Sequence, residues 1–147
     1  MAEGRRLSDN SALDDDLAFR LRLAYMAVMR RFEAALKPFE LRPSLYAAMV
    51  LIEAAPGRKQ HEVGEALGVA ASNLAVLMDQ LETRGYLSRE RVAGDTRSYA
   101  VTLTAAGAAA LAAIKVEHAK AAAEIDAVVG KHRAQLLEAL GDLAGMG

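Results

Sequence analysis

The chain has 147 residues, a net charge of −1 and no cysteine, and 53% of its residues are hydrophobic while 25% are charged. These figures fit one globular domain with a sizeable core, and the absence of cysteine excludes disulfides, thiolate metal sites and thiol-based redox sensing. No apolar run approaches the roughly 20 residues of a membrane span, and the N-terminus lacks the apolar segment of a signal peptide. We therefore expect a cytoplasmic protein.

The first predicted helix covers residues 14–37 and follows a tail, residues 1–12, that we expect to be flexible. Aspartates 14 to 16 place negative charge at its N-terminus, where the helix dipole favours it. Its apolar residues occupy more than one face: Leu17, Leu21, Tyr25, Val28, Phe32 and Leu36, with Phe19, Leu23, Met26 and Met29 beside them. It is either a central core helix or a helix buried against a second subunit, and the short chain favours the second subunit.

A second helix is predicted from Ser44 to Ala54, with Pro43 in its first turn and Pro56-Gly57 after its end. Arg58 and Gln60 then come at the start of a third helix, where exposed N–H groups and cations can hold a phosphate. The alternative for Arg58 and its neighbour Lys59 is a solvated loop pair.

The third and fourth helices have the construction of a helix-turn-helix. Gln60–Leu67 ends at Gly68, a residue suited to the left-handed backbone of a helix C-terminus, and the fourth helix runs from about Ala70 to Arg84. Two helices joined by so short a turn cross steeply, and Gly64 lets them approach. The pattern favours a helix that enters the DNA major groove, although any antiparallel helix pair of a bundle is the alternative.

The outer face of the fourth helix carries the residues expected to meet base edges. Asn73 can pair bidentately with adenine, and small or apolar side chains suit thymine methyl groups. The residues predicted to contact bases are Ala71, Ser72, Asn73, Ala75 and Val76. The alternative is a surface with no such role.

A β-hairpin is predicted directly after this helix, with strands Leu87–Val92 and Arg97–Leu103 joined by a turn at residues 93–96. A hairpin in this position is a wing. Its cations are Arg89, Arg91 and Arg97. Arg89 and Arg97 are predicted to contact DNA, and Arg97 lies near the tip, where a guanidinium can enter an adjacent minor groove.

The C-terminal third is predicted to form an alanine-rich helix, Ala105 to about Val129, then a last helix after Gly130. Leu111, Ile114, His118, Ala121, Ile125 and Val128 form a heptad seam, and Leu136, Leu137, Leu140 and Leu143 line the last helix. We expect these helices to interlock with their copies about a two-fold axis. The predicted dimer contacts are Leu17, Leu21, Leu111, Ile114, His118, Ile125, Leu136 and Leu140. At the dimer interface, His118 is either a histidine whose ring nitrogens have hydrogen-bond partners or a pH sensor.

The sequence resembles the MarR family of bacterial transcriptional regulators. The resemblance is carried by the run LGVAASNLAVLMDQLETRGYL, by Asp95 and Arg97 with Leu103-Thr104 in the wing, and by Gly107. It implies one mainly α-helical domain over residues 1–147, with a winged helix-turn-helix at 43–104 and dimerisation helices at 14–37 and 105–147.

The resemblance also implies a function: a homodimeric, ligand-responsive repressor that binds a pseudo-palindromic operator in double-stranded DNA. In that family pattern Arg97 contacts the minor groove and Asp95 orients the wing by pairing with a nearby arginine. A turn-forming role for Asp95 is the alternative, and both can hold. Family members often carry a cation near Val76. Its absence here predicts an A·T-leaning site of modest affinity, unless Arg97 and the helix ends compensate.

A small-molecule crevice between the dimerisation helices and the winged region is the family's further implication, commonly for an aromatic or phenolic effector. Aromatic, soft or cationic residues are the candidates: Tyr25, Met29, Arg30, Phe39, Tyr46 and Met49. The alternative for each is ordinary core.

Two observations limit the functional prediction. Residues 58–104 contain six Lys or Arg and six Asp or Glu, so DNA binding must come from the placement of charge. This neutrality keeps open a second function, a dimeric ligand-binding or protein-interaction module with weak or no DNA binding. No nucleophile motif, phosphate loop or metal-ligand spacing appears, so we expect no enzyme, metal or cofactor.

Overall fold

The computed structural model describes residues 11–145, and within them it has six α-helices and a three-stranded antiparallel sheet. The helices are α1 (Leu17–Leu36), α2 (Pro43–Ala54), α3 (Gln60–Leu67), α4 (Ala71–Thr83), α5 (Ala105–Val129) and α6 (Arg133–Ala144); the strands are β1 (Arg58–Lys59), β2 (Leu87–Val92) and β3 (Asp95–Leu103). The predicted mainly helical fold with a wing is confirmed. Most of the predicted flexible tail, residues 1–10, lies outside the described residues, and its end belongs to a 3₁₀ turn, Ser11–Leu13.

The corner between α3 and α4 depends on two glycines. Gly68 has φ of +64°, and its N–H bonds the carbonyl of Glu65 at 3.1 Å, which ends α3. A Cβ on Gly64 would lie 2.7 Å from Cδ2 of Leu74. The close crossing of the two helices therefore needs glycine at position 64, as the sequence predicts.

The sheet has the order β1-β3-β2 and corrects the prediction at two points. Arg58 and Lys59 are not a loop pair, because they form an edge strand opposite Val101 and Ala100. β3 also begins at Asp95, two residues earlier than predicted. β1 has only two residues, which is too short to show the alternation of apolar and polar residues that predicts a strand. Only its pairing with β3 in the structure identifies it.

The core lies where α2 meets the winged region and α5. Met49 and Ile52 of α2, Met78 and Leu81 of α4 and Val101 of β3 are fully buried. The rest of this cluster comes from the same elements and their neighbours: Leu36, Leu41, Leu45, Ala48, Val63, Leu74, Leu87, Leu111 and Ile114.

The heptad seam of α5 meets the chain's own core over its first half. Leu111 and Ile114 are 0% exposed within the protomer, so they cannot form the main contact with a partner. His118 is half-buried, and its ring stacks on Phe32 and Tyr46 of its own chain. Leu111 and Ile114 are therefore removed from the predicted dimer surface, because α1 and α2 already cover that part of α5, whereas the interface role of His118 stays a prediction.

Large apolar side chains remain exposed on α6, on α1 and near the end of α5. α6 has no buried residue among those described, and Leu136, Leu137, Leu140 and Leu143 are all exposed. Leu17 and Tyr25 of α1 and Val128 of α5 are exposed as well. No helix among the described residues is long and apolar enough to cross a membrane.

Candidate nucleic-acid interface

The outer face of α4 is open to solvent while its inner face is buried. Leu74, Met78 and Leu81 belong to the core, and the helical period turns the intervening residues outward. Ala71, Ser72 and Asn73 are exposed, Val76 is 54% exposed, and Ala75 is half-buried. Four of the five residues predicted to contact bases are thus fully accessible, and the fifth is partly so.

The N-terminus of α4 adds a second feature suited to DNA. The residue at its cap is Ala70, whose side chain has no hydrogen-bonding group, so the first amides of the helix receive no cap from it. Free amides at a helix N-terminus attract phosphate. The N-terminus of α3 differs, because the Glu62 side chain already accepts from the backbone N–H of Lys59 at 2.8 Å.

The wing tip is organised by Asp95. Its carboxylate accepts from the backbone N–H of Arg97 at 3.2 Å and from the hydroxyl of Ser98 at 2.6 Å, and it lies 3.9 Å from Nζ of Lys59. The Ser98 hydrogen bond, followed by the Arg97 amide, holds the pKa of Asp95 below its usual range. The family-implied pairing with an arginine side chain is therefore wrong here, and the turn-forming alternative describes Asp95.

Arg97 and Arg89 stand in opposite environments. The Arg97 side chain is exposed and makes no ion pair or side-chain hydrogen bond with the described residues. Arg89 is directed back onto α4, where Nη2 bonds Asp79 at 2.8 Å and also bonds Glu82. Its side chain is only 20% exposed, and the guanidinium lies 5.7 Å from the centre of the Tyr99 ring.

In this structure Arg89 is paired within its own chain, so its predicted contact with DNA would require these ion pairs to open. The hydrogen bond between Glu82 and Arg89 raises the pKa of the guanidinium and lowers the pKa of the carboxyl. A phosphate would have to compete with two carboxylates for this cation. Arg89 fixes the wing against the recognition helix α4.

Arg58, in the edge strand β1, and Gln60, which follows that strand, are half-buried. Nε of Arg58 and Oε1 of Gln60 are enclosed without a hydrogen-bond partner among the described residues. Lys59 between them is also half-buried, and its Nζ lies 3.9 Å from the carboxylate of Asp95 at the wing tip. The predicted phosphate contacts of Arg58 and Gln60 stay predictions.

The predicted effector residues separate into different environments. Tyr25 and Met29 line a cleft of about 820 Å³ between α1 and the start of α2. Met49 is fully buried in the core, and Phe39 packs against that core. Arg30 is exposed and is not part of the cleft wall. The other lining residues were not predicted from the sequence: Glu33, Lys37, Glu40, Leu41, Arg42, Pro43 and Ser44.

The remaining effector candidate, Tyr46, stacks on His118. The ring of His118 lies between Tyr46, at a centroid distance of 4.2 Å, and Phe32, at 4.3 Å. Burial lowers the pKa of His118 and raises the pKa of Tyr46. This three-ring stack joins α1, α2 and α5. Among residues 11–145, no three His, Cys, Asp or Glu side chains gather as a metal site.

Comparison with known proteins places this geometry among transcription factors. A family model described as MarR family matches residues 42–98. A protein of Thauera aromatica, named putative transcriptional regulatory protein for the hcr operon, is 30% identical over 107 residues, which are 72% of this chain and 64% of that protein. The matched region thus spans a little under two thirds of that relative's length.

Two solved structures of the transcriptional repressor CouR are similar over most of the chain. The complex with a 23-mer DNA duplex is 32% identical, covers 87% of this chain and 92% of the other, and has a TM-score of 0.83. The complex with p-coumaroyl-CoA is 29% identical, covers 93% and 97% respectively, and has a TM-score of 0.84.

Proposed function

The chain belongs to the MarR family, and from that premise we propose that it is a homodimeric, ligand-responsive repressor that binds a pseudo-palindromic site in double-stranded DNA. The observation that carries the proposal is the outer face of α4. That face is exposed along its length, begins with amides that the Ala70 side chain does not cap, and is followed by a wing whose tip presents Arg97. CouR, a relative of the same fold, is bound to a DNA duplex.

DNA recognition in this proposal uses few, well-placed groups. Ser72 and Asn73 would meet base edges, while Ala71 and Val76 would contact thymine methyl groups. Arg97 would enter the minor groove, and the amides at the start of α4 would hold a phosphate. In a dimer, two winged helix-turn-helix regions related by a two-fold axis would occupy successive major grooves roughly 34–36 Å apart.

Dimerisation in the proposal uses the exposed apolar residues of the terminal helices. Leu17, Leu136 and Leu140 are the exposed members of the predicted contact set, with Leu21 and Ile125 half-buried beside them. An exposed cluster of this kind on a protein that folds in water marks an interaction surface. A second copy would supply the complementary face.

The effector in this proposal is a small aromatic or phenolic anion that enters the cleft between α1 and α2. Tyr25 and Met29 supply an aromatic and a polarisable wall. Lys37 and Arg42 supply cations that an anion could pair with, next to the carboxylates of Glu33 and Glu40 in the same lining. CouR is bound to p-coumaroyl-CoA, which carries a phenol. p-Coumaroyl-CoA is therefore the first compound to add to a protein–DNA complex, and release of the DNA is the expected result.

The proposal assigns the protein no catalytic activity, cofactor or metal, and it places the protein in the cytoplasm, where a bacterial operator would lie. A second candidate is a dimeric ligand-binding or protein-interaction module with weak or no DNA binding. It is favoured by one observation, the apolar Val76 exposed at the centre of the recognition face.

Selection from genomic DNA tests the proposal. The purified protein is mixed with random genomic duplex fragments at about physiological salt, and the retained fragments are sequenced. Recovery of one inverted repeat by the wild type, and its loss with Arg97→Ala, is the expected result. If no fragment is retained even at low salt, the second candidate replaces the first.

A further inference from the structure

The C-terminal end of the recognition helix α4 is tied to the backbone between α1 and α2. Arg84, the residue that caps α4, donates from Nη2 to the carbonyl of Glu40 at 2.6 Å and from Nη1 to the carbonyl of Phe39 at 3.4 Å. Charge-assisted hydrogen bonds of this kind are stronger than those between neutral groups. The nearest carboxylates on α4, Asp79 and Glu82, are engaged by Arg89.

The carbonyls that accept from Arg84 belong to a helix end with a defined geometry. After α1 the chain makes a 3₁₀ turn, Lys37–Phe39, and Glu40 then adopts a left-handed backbone with φ of +52°. The N–H of Glu40 donates to the carbonyl of Lys37 at 3.0 Å, and the N–H of Leu41 donates to the carbonyl of Leu36 at 3.4 Å. Arg84 thus places its positive charge at the C-terminal end of this helical segment, where the dipole favours a cation.

Within residues 11–145, Glu40 is the one residue other than glycine with a positive φ. Residues with a side chain rarely adopt a positive φ, so the backbone between α1 and α2 is strained at Glu40, and neighbouring contacts must hold it in place. The Arg84 hydrogen bonds and the buried Leu41 that follows are the contacts that maintain it.

The same connection forms one wall of the cleft of about 820 Å³. Lys37, Glu40, Leu41 and Arg42 all line that cleft. Glu40 also borders a second, shallower cleft on the outer side of α4, together with Val76, Asp79, Gln80, Thr83 and Arg84. One short stretch of backbone therefore touches both the proposed effector cleft and the recognition helix.

We propose that Arg84 is the positioning residue that transmits occupancy of the α1–α2 cleft to the recognition helix. This rests on the proposed DNA-binding function. A group that enters the cleft displaces the connection at residues 37–42, and the two Arg84 hydrogen bonds carry that displacement to the end of α4. The cleft and the DNA-reading face are then coupled because both bias the position of one element.

The test places a known group in the cleft without knowledge of the natural effector. The chain has no cysteine, so Ser44→Cys puts a single thiol on the cleft wall. Dithiobis(nitrobenzoate) transfers one thionitrobenzoate, an aromatic carboxylate, to that thiol and releases a second, coloured one that measures the yield. Dithiothreitol removes the group, so each sample is its own control.

Two quantities are measured with and without the label. The first is affinity for the duplex recovered from genomic DNA, and the second is hydrogen–deuterium exchange of the amides at residues 79–85. The label is expected to weaken DNA binding about tenfold, a typical allosteric coupling, and to speed exchange at the end of α4. In the Ser44→Cys/Arg84→Met protein both changes should fall below about twofold, with partial recovery in Arg84→Lys.

Arg31→Met is the matched control, because Arg31 is likewise an exposed arginine that joins two elements, here α1 and α5 through Glu124. It should leave both effects of the label intact. Equal effects in the Arg84→Met and Arg31→Met backgrounds would overturn the proposal, as would a label that changes neither quantity. If unlabelled protein binds no DNA, the proposed function fails, and the exchange measurement still decides the role of Arg84.

Discussion

The reading head, residues 43–104, and the helices that flank it differ in how many of their large apolar side chains are buried within one protomer. In the head, Leu45, Met49, Met78 and Val101 are all buried within one protomer. In the flanks, α6 has no buried residue among those described, and Val128 near the end of α5 is 82% exposed. The core of the head is completed by Leu36 of α1 and by Leu111 and Ile114 of α5. Beyond that contact, α6 and the end of α5 leave apolar surface exposed, and we propose that a second copy covers it.

The ion pairs of the two regions differ in the burial of the cation, because the Arg89 side chain in the head is 20% exposed whereas those of Arg31 and Arg133 in the flanks are 51% and 57% exposed. The head pairs Arg89 of β2 with Asp79 and Glu82 of α4, so its ion pairs link one element to the next and shape the wing. The pairs of the flanks, such as Arg133 with Asp126, lie on the exposed surface of α5 and α6. Surface pairs of that kind contribute little to stability.

The joint between the two regions gives the largest expected effect. A Cβ on Gly107, in the first turn of α5, would lie 2.2 Å from the backbone oxygen of Tyr86. Gly107→Ala must therefore push α5 away from the head, and we expect the free energy of unfolding to fall by about 3 kcal/mol. Urea denaturation at a fixed protein concentration measures it. Gly141→Ala is the control, because nothing lies within 4 Å of that position, and it should stabilise by up to about 1 kcal/mol.

The proposed need of the flanks for a partner is tested at Leu140. Leu140→Glu places a charge in the exposed apolar cluster of α6, and we expect the dimer dissociation constant to rise about 30-fold, equivalent to about 2 kcal/mol. Sedimentation equilibrium measures the constant. Gln135→Glu adds the same charge on the other side of α6 and should leave it unchanged. Equal behaviour of the two variants would mean that α6 is not an interface.

The internal ion pair of the head is tested with Arg89→Met. We expect the free energy of unfolding to fall by about 1 kcal/mol, since the partner carboxylates are largely exposed. Glu82 has a lowered pKa in the folded protein, so its contribution is present above the unfolded pKa of about 4.3 and is lost as pH falls through the folded pKa. Arg89→Met should remove that acid-dependent part, and an unchanged pH profile would contradict the pairing.

The smallest effect concerns His118, which joins flank to head through its stack with Phe32 and Tyr46. Burial lowers its pKa in the folded protein, so the unfolded chain binds the proton more readily. The free energy of unfolding should therefore decline as pH falls through about 6.5 toward the folded pKa. His118→Phe keeps the aromatic stack and should flatten the profile in that window. A decline that persists would assign it to other groups.

Local chemistry explains which features the sequence predicted. Gly68 and Gly64 identified the helix-turn-helix because a left-handed cap and a close crossing each admit few residues. The period of α5 correctly identified which residues share a face. It could not identify what that face meets, and Leu111 proved to contact the core of its own chain. A heptad pattern describes an apolar stripe, and only packing shows whether the stripe is intramolecular.

The two wing arginines show the same limit within the candidate site. Arg89 and Arg97 are both arginines on the strands of the predicted wing, and both were predicted from the sequence to contact DNA. Their difference depends on Asp79 and Glu82, which helix α4 brings beside β2 but not beside the wing tip. Arg84 was missed for a related reason, because its partners are backbone carbonyls at Phe39 and Glu40, which leave no signal in residue type.

The central claim is that a head with balanced charge binds DNA through a few placed cations, and Arg97 tests it most directly. The affinity of wild type and Arg97→Ala for the recovered duplex is measured across a series of salt concentrations. Two heads each lose one cation, so the slope of log affinity against log salt should become shallower by about two, with an affinity loss of about tenfold or more. Identical slopes and affinities for the two proteins would contradict the claim.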